Sequence, residues 1–216
     1  EAIKTFDELR REFPGEAEYR HESAESQYKM AQLLVEVGRH PEAEQAYSLA
    51  LKIQRPLVAE FPQSLQHRNL LAWIYGGQAR LQRLIGQWRD AESSAAEGFN
   101  LWEGAPADLS EPSMTDGLTS LRSAKGELLE DAGEWEEAEE SYREAVRLWR
   151  QMFNEAPQDA AIQQGLARSQ VSLGEALNHL GGSKRKEAEQ AYDEAGRLLE
   201  RLVRDFPAAP EYRSDL

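Results

Sequence analysis

The sequence predicts an all-α protein made of stacked antiparallel helix pairs, and three observations that share one period predict it. Small residues followed seven positions later by Gly recur as Ala31/Gly38, Ala79/Gly86, Gly126/Gly133 and Gly174/Gly181, the second members lying 48, 47 and 48 residues apart. After each comes an Ala-Glu step: Ala43 in PEAEQAYSLAL, Ala91 in RDAESSAAEGF, Ala138 in EEAEESYREAV and Ala188 in KEAEQAYDEAG. A third landmark closes the unit, EFP at 60–62, EAP at 155–157 and DFP at 205–207, with a further EFP at 12–14. A fixed period of this length marks a repeat architecture.

The elements follow in order within each period. The segments ahead of the glycines (YKMAQLLVEVG, GQARLQRLIG, AKGELLEDAG, VSLGEALNHLG) are Leu-rich and helix-forming. Gly38, Gly86, Gly133 and Gly181 then stop these first helices, because Gly takes the left-handed conformation that ends a helix. Pro41 suits the first turn of the next helix. In the second helices Ala, Tyr and Ala fall at i, i+4 and i+7, one stripe of an α-helix. Each helix has about 20 residues, roughly 30 Å. Pro56 should bend its helix. No segment keeps a period-2 alternation.

These residues resemble the tetratricopeptide repeats, whose signature is L-G-x2-apolar in a first helix and A-x3-F/Y…A in a second. Leu173-Gly174-x2-Leu177 matches the first part. Ala43-x3-Tyr47-x2-Ala50, Ala138-x3-Tyr142-x2-Ala145 and Ala188-x3-Tyr192-x2-Ala195 match the second. The period is about 48 residues where the usual repeat has 34, so both helices are lengthened. The fourth unit has two extra residues in its inter-helix turn, GGSKRKEAE, and the second has Ala95 and Gly98 where Tyr and Ala stand elsewhere. The resemblance implies a right-handed α-solenoid.

The landmarks divide the chain into a second-helix remnant of a preceding repeat (1–14), repeats at 15–62, 63–112, 113–157 and 158–207, and the start of a following repeat (208–216). Repeat two is degenerate and carries an irregular loop at 104–117 (GAPADLSEPSMTDG) that is a hinge, a docking site or neutral drift. Two half-units at the ends lead us to expect a piece of a longer array.

Composition excludes several function classes. With 25 Lys+Arg against 39 Asp+Glu the formal charge is −14, the wrong sign for a phosphate-binding surface, so no nucleic acid is expected. No Cys is present, which removes disulfides, thiolate metal sites and a cysteine nucleophile. No apolar run approaches the roughly 18 residues of a membrane span, so no membrane partner is expected and the protein is read as cytoplasmic. His21, His40, His67 and His179 fall in three of the four repeats without metal-ligand spacing, and are read as surface or satisfied helix residues. Phosphate-loop, dinucleotide and nucleophile-elbow motifs do not occur. We expect no enzyme, no cofactor and no metal.

What remains is recognition. By the resemblance, one stripe of each first helix lines a concave groove: Glu25, Tyr28, Gln32 and Val35; Trp73, Gly76, Arg80 and Arg83; Ser120, Ser123, Glu127 and Glu130; Arg168, Val171, Glu175 and Asn178. The spacing i, i+3, i+7, i+10 itself puts each quartet on one face. The Gly76-Gly77 pair permits close backbone approach beside Trp73, and Arg80, Arg83 and Arg168 could together hold a carboxylate or acidic peptide segment. The plainer reading pairs Arg80 and Arg83 with Glu127 and Glu130 and makes Trp73 core. Trp88 with Trp135, and Trp102 with Trp149, keep the period and are read as packing between repeats. The Lys and Asn set with which the family clamps a C-terminal carboxylate is missing.

The expected function is therefore a non-catalytic protein- or peptide-binding scaffold. It would be a regulatory segment of a larger polypeptide that also contacts that polypeptide's other domains. Long-period arrays with FP-x-x-x-E-Y-R punctuation look like those attached to signalling kinases or caspase-like proteases. The rivals are a solenoid that senses a small peptide or metabolite in its groove, and a self-association module.

Overall fold

The structure is a computed structural model; it describes residues 5, 8–10, 12, 13, 15–102 and 112–207. The described residues are almost all helical: α1 Ala17–Glu36, α2 His40–Glu60, α3 Leu65–Leu84, α4 Trp88–Asn100, α5 Pro112–Ala132, α6 Trp135–Glu155, α7 Ala160–Leu180 and α8 Arg185–Asp205. A short 3₁₀ turn, Gly182–Lys184, precedes α8. The helices fall into two compact units, Glu1–Leu109 and Ser110–Leu216. In the first, α1 packs on α2, α2 on α3 and α3 on α4; in the second, α5 packs on α6, α6 on α7 and α7 on α8. This is a helical, repeat-like all-α architecture.

The turns follow from their residues. Gly38 and Gly86 have φ of +73° and +79°. Around Gly38 the Arg39 N–H donates to the Leu34 carbonyl (2.8 Å) and the Gly38 N–H to that of Val35 (3.0 Å), which satisfies two otherwise orphaned carbonyls. The second helices end differently. Phe61, Ala156 and Phe206 each precede a proline, and their ψ values of 68°, 66° and 62° lie outside the α region. The proline ring disfavours helical backbone in the residue before it, so the recurrent F/A-P is a steric stop. One turn earlier Leu57, Met152 and Leu202 are buried and close each helix onto the core. Ser64 and Asp159 cap α3 and α7, the Asp159 Oδ1 accepting from the Ala161 and Ile162 amides at 2.9 and 3.1 Å.

Three expectations need correction or comment. Residues 112–117, assigned to the irregular loop, form the first turns of α5, because Pro112 suits the start of a helix; residues 104–111 lie outside the described ones. Helix α2 runs through Pro56 to Glu60, with Pro56 on its exposed side, where water reaches the carbonyl that lost its partner. Of the segment 1–14, residues 5, 8–10 and 12 are helical; residues 208–216 lie outside the described ones.

Alanines on the second helices are buried, and in three of the four the motif tyrosine packs against a glycine of a neighbouring helix. A methyl added at Gly126 of α5 would stand 2.5 Å from the Tyr142 ring of α6, and one at Gly174 of α7 would stand 2.7 Å from the Tyr192 ring of α8. In the first unit the Tyr47 ring of α2 lies against Gly77 of α3, its hydroxyl oxygen 2.6 Å and its nearest ring carbon 2.8 Å from such a methyl. Tyr47 and Tyr142 are 2% and 0% exposed, whereas Tyr192 is 39% exposed.

Candidate functional site

In the first unit the structure brings together Tyr28 of α1 and Trp73 of α3, stacked with ring centroids 6.2 Å apart and planes 19° from parallel. The Gln32 amide donates to the Tyr28 hydroxyl at 2.9 Å, and Tyr47 tilts against Tyr28 at 6.3 Å. Tyr28 and Trp73 are half-buried and Gln32 is exposed, so this pair is neither pure core nor free surface.

The Gly76-Gly77 pair is a correction. Gly76 is buried and Gly77 is filled by the Tyr47 ring, so the backbone approach it allows is to the protein's own tyrosine. Burial pushes the Tyr47 phenol up to about 12, and the charge of Arg80 works against that rise. Arg80 and Arg83 are half-buried and engaged within the protein. They belong to the first unit and Arg168 to the second, where it is exposed.

In the second unit the stripes of α5 and α7 bring carboxylates together. Glu130 lies close enough to Glu175, Glu127 and Asp131 to feel all three charges. Burial, then these neighbours, hold its carboxyl above the usual range, opposed by the Tyr142 hydroxyl that donates to its Oε2 at 2.9 Å. Glu130, Asp131, Glu175 and Asn178 line one cavity of about 290 Å³ with Trp135, His179 and Tyr192. Trp135 and His179 are stacked face to face, centroids 3.8 Å apart and planes 3° from parallel. The Tyr192 phenol is raised by burial and then by Glu175 and Glu130, so its hydroxyl stays a hydrogen-bond donor beside them. Ser123 does not join this cluster through its hydroxyl, which donates to the Thr119 carbonyl one turn back at 3.1 Å. Arg168 does not line the cavity.

The other cavities of this unit have balanced linings. A groove of about 560 Å³ between α6 and α8 is lined by Arg143, Arg147 and Arg150 together with Glu187 and Glu194. Arg143 reaches Glu187 at 2.5 Å and Arg150 reaches Glu194 at 2.7 Å, while Arg147 pairs with Glu144 on its own helix at 2.7 Å. Lys184 of the 3₁₀ turn reaches Glu139 of α6 at 2.7 Å. These pairs tie α6 to α8 and its lead-in turn.

Several functional candidates lie outside the sequence expectation. Trp135 fits the packing reading through its stack on His179, and Trp149 lies 2.4 Å from a methyl placed at Gly165. Trp88, at the place equivalent to Trp135, is instead 48% exposed. His21 and His67, read as unconnected, are buried and meet with Nδ1 atoms 3.1 Å apart. Their contact joins α1 to α3, and helical periodicity within one repeat carries no signal for it.

Neither a protein-family model nor a curated protein matches the chain. Its fold is similar to the crystal structure of BtubC (BKLC) from P. vanneervenii, with a TM-score of 0.59 and 19% identity, over 93% of this chain and 88% of that one. At that identity the likeness is one of fold. Among the described residues, no helix is long and apolar enough to cross a membrane.

Proposed function

We propose that the chain is a non-catalytic module of tetratricopeptide type, wound as a right-handed α-solenoid, that binds a protein or peptide partner along its first helices. The observation that supports this is the gathering of aromatic and charged side chains at first-helix stripe positions where the chain is only partly covered. Tyr28, Gln32 and Trp73 meet in one unit; Glu130, Glu175 and Asn178 line one cavity in the other. Partly exposed aromatics beside polar groups are the usual anchors of protein recognition. The module acts in the cytoplasm as a regulatory part of a larger polypeptide.

The test is peptide selection from a displayed random library against the intact chain, followed by hydrogen exchange of the chain with the winning peptide. The reading expects protection concentrated on α1, α3, α5 and α7, and weaker binding after the exposed-site changes Gln32→Arg or Glu175→Arg. Protection confined to the second helices, or no selectable peptide, would overturn it. A mass in light scattering that grows with concentration would favour self-association instead.

A further inference from the structure

The first unit has a groove of about 460 Å³ between α2 and α4, lined from α3 by Tyr75 and Gln78. Every residue lining it stands at the place in the period of a residue lining the α6–α8 groove of the second unit. One groove is thus built twice, with a helix on each side in both, and the residues at matched positions set the two apart.

In the second unit the groove is filled from within. The Glu194 carboxylate accepts from the Arg150 guanidinium, 2.7 Å to each oxygen, and from the Gln170 amide at 2.8 Å. Arg143 is taken by Glu187 and Arg147 by Glu144. In the first unit that filling is undone. Ser48 stands for Arg143, Lys52 for Arg147 and Leu49 for Glu144, so Lys52 lacks the acidic residue one turn before it. Arg55 stands for Arg150, yet its Nε donates to the Tyr75 hydroxyl at 2.9 Å and its guanidinium carbon lies 5.3 Å from that ring's centre. Among the described residues no ion pair joins Lys52 or Arg55 to a carboxylate. Two cations on α2 therefore face a single carboxylate on α4, Glu97.

Arg55 and Tyr75 stand where Arg150 and Gln170 hold the Glu194 carboxylate. Tyr75 is 4% exposed, and burial raises its phenol above the ordinary value, outweighing the Arg55 hydrogen bond and charge. Its hydroxyl therefore keeps its proton. That proton, the terminal N–H groups of Arg55 and the Lys52 ammonium are donors for which the described residues supply no acceptor. One carboxylate brings the groove to charge balance and takes these donors in charge-assisted hydrogen bonds. A phosphate dianion overshoots that balance beside Glu97, and a cation meets Lys52 and Arg55.

We propose that the α2–α4 groove binds one acidic side chain, glutamate or aspartate, of a partner peptide, as the second unit's groove holds its own Glu194. The acidic segment that the sequence suggested for Arg80, Arg83 and Arg168 is thereby received at Lys52 and Arg55. This groove is separate from the first-helix stripes, so it adds a contact to the reading above and does not depend on it.

The test titrates acetyl-Ala-Glu-Ala-amide into the ¹⁵N-labelled intact chain in low-salt buffer, where exposed charges are least screened. Acetyl-Ala-Gln-Ala-amide and propionate are run alongside. Amide shifts centred on Lys52, Arg55, Tyr75 and Ser93 are expected from the glutamate peptide, with the glutamine peptide about fivefold weaker and propionate weaker as well. Lys52→Gln and Arg55→Gln, both at exposed positions, should each weaken the glutamate peptide about threefold. Glu97→Gln, which removes the opposing carboxylate, should strengthen it about twofold. Arg39→Gln, at an exposed cation outside the groove, should leave it unchanged. Equal binding of the two peptides or shifts centred elsewhere would overturn the proposal. So would an Arg39→Gln effect as large as those of Lys52→Gln and Arg55→Gln, or weaker binding after Glu97→Gln. Propionate binding as tightly as the glutamate peptide would overturn the peptide as the source and leave a small carboxylic acid in its place. None of these outcomes touches the first-helix reading, which stands or falls on the protection of α1, α3, α5 and α7.

Discussion

Replacing Gly126 by Ala should destabilise the protein, although alanine is the better helix former. The added methyl would sit 2.5, 2.6 and 2.9 Å from three carbons of the Tyr142 ring, where carbon pairs prefer about 3.5–4.0 Å. The ring has nowhere to go: Tyr142 is 0% exposed and its hydroxyl is bonded to Glu130 at 2.9 Å. Overpacking of this kind costs about 1–3 kcal/mol, and an approach this short belongs in the upper half of that range. The gain in helix propensity returns about 0.8–1.0 kcal/mol, leaving a net loss of roughly 1–2 kcal/mol. Gly196 of α8 is the control, because nothing lies within 4 Å of a methyl placed there. Gly196→Ala should therefore stabilise by about 0.5–1 kcal/mol. In thermal melts followed by circular dichroism, where 1 kcal/mol moves Tm by about 2–4 °C at this size, the two variants should move in opposite directions. Adding Tyr142→Leu to Gly126→Ala should cost less than the sum of the two single changes, since the collision is removed. A Gly126→Ala protein at least as stable as the parent would refute the ring-on-glycine account.

Two further outcomes follow from buried charge. Burial lowers both His21 and His67 below the ordinary value of 6.5, with Glu25 and Gln54 raising the first, His21 and Arg20 lowering the second and Glu60 raising it. The folded state therefore binds fewer protons than the unfolded one as pH falls through 6.5, so their contribution to stability is present above that pH and declines below it. Imidazole shifts followed by NMR should give midpoints under 6.5 for both rings; a midpoint at or above it would contradict the buried pair. Glu139 is 8% exposed; burial opposes its charge, but Lys184 and Arg143 outweigh it and hold its carboxyl below the usual range. Its stabilisation is complete above the unfolded carboxylate value near 4.5 and disappears as pH falls through the lowered one. Glu139→Gln should lower the urea midpoint measurably at pH 7 and progressively less in acid; an undiminished effect at pH 3 would contradict the ion pairs.

What sequence could disclose divides by range. The glycine stops and the F/A-P stops are local devices, set by the steric needs of two or three adjacent residues, and they were legible as punctuation at Gly38, Gly86 and Pro62. The stripe positions were legible as faces, because helical spacing alone puts Glu127 and Glu130, or Glu175 and Asn178, on one side. Which faces meet was not. Tyr47 meets Gly77 of the following helix and Tyr142 meets Gly126 of the preceding one, contacts that the repeat motif does not name. The helix start at 112–117 was not legible, because proline breaks a helix interior while its fixed φ also favours a first turn. The arginines Arg80 and Arg83 stood out against a charge of −14, yet contrast in composition says nothing of engagement, and both are half-buried and occupied.

The recess beneath each ring bears on how such a chain can change over generations. The Tyr142 and Tyr192 rings lie against glycines of the helix before them, Gly126 and Gly174, and the Tyr47 ring lies against Gly77 of the helix after it. A duplication or exchange that moved one of two such helices without the other would deliver a ring without its recess, or a recess without its ring. The period invites the copies to be treated as interchangeable parts, but at these contacts the glycine and the tyrosine have to travel together.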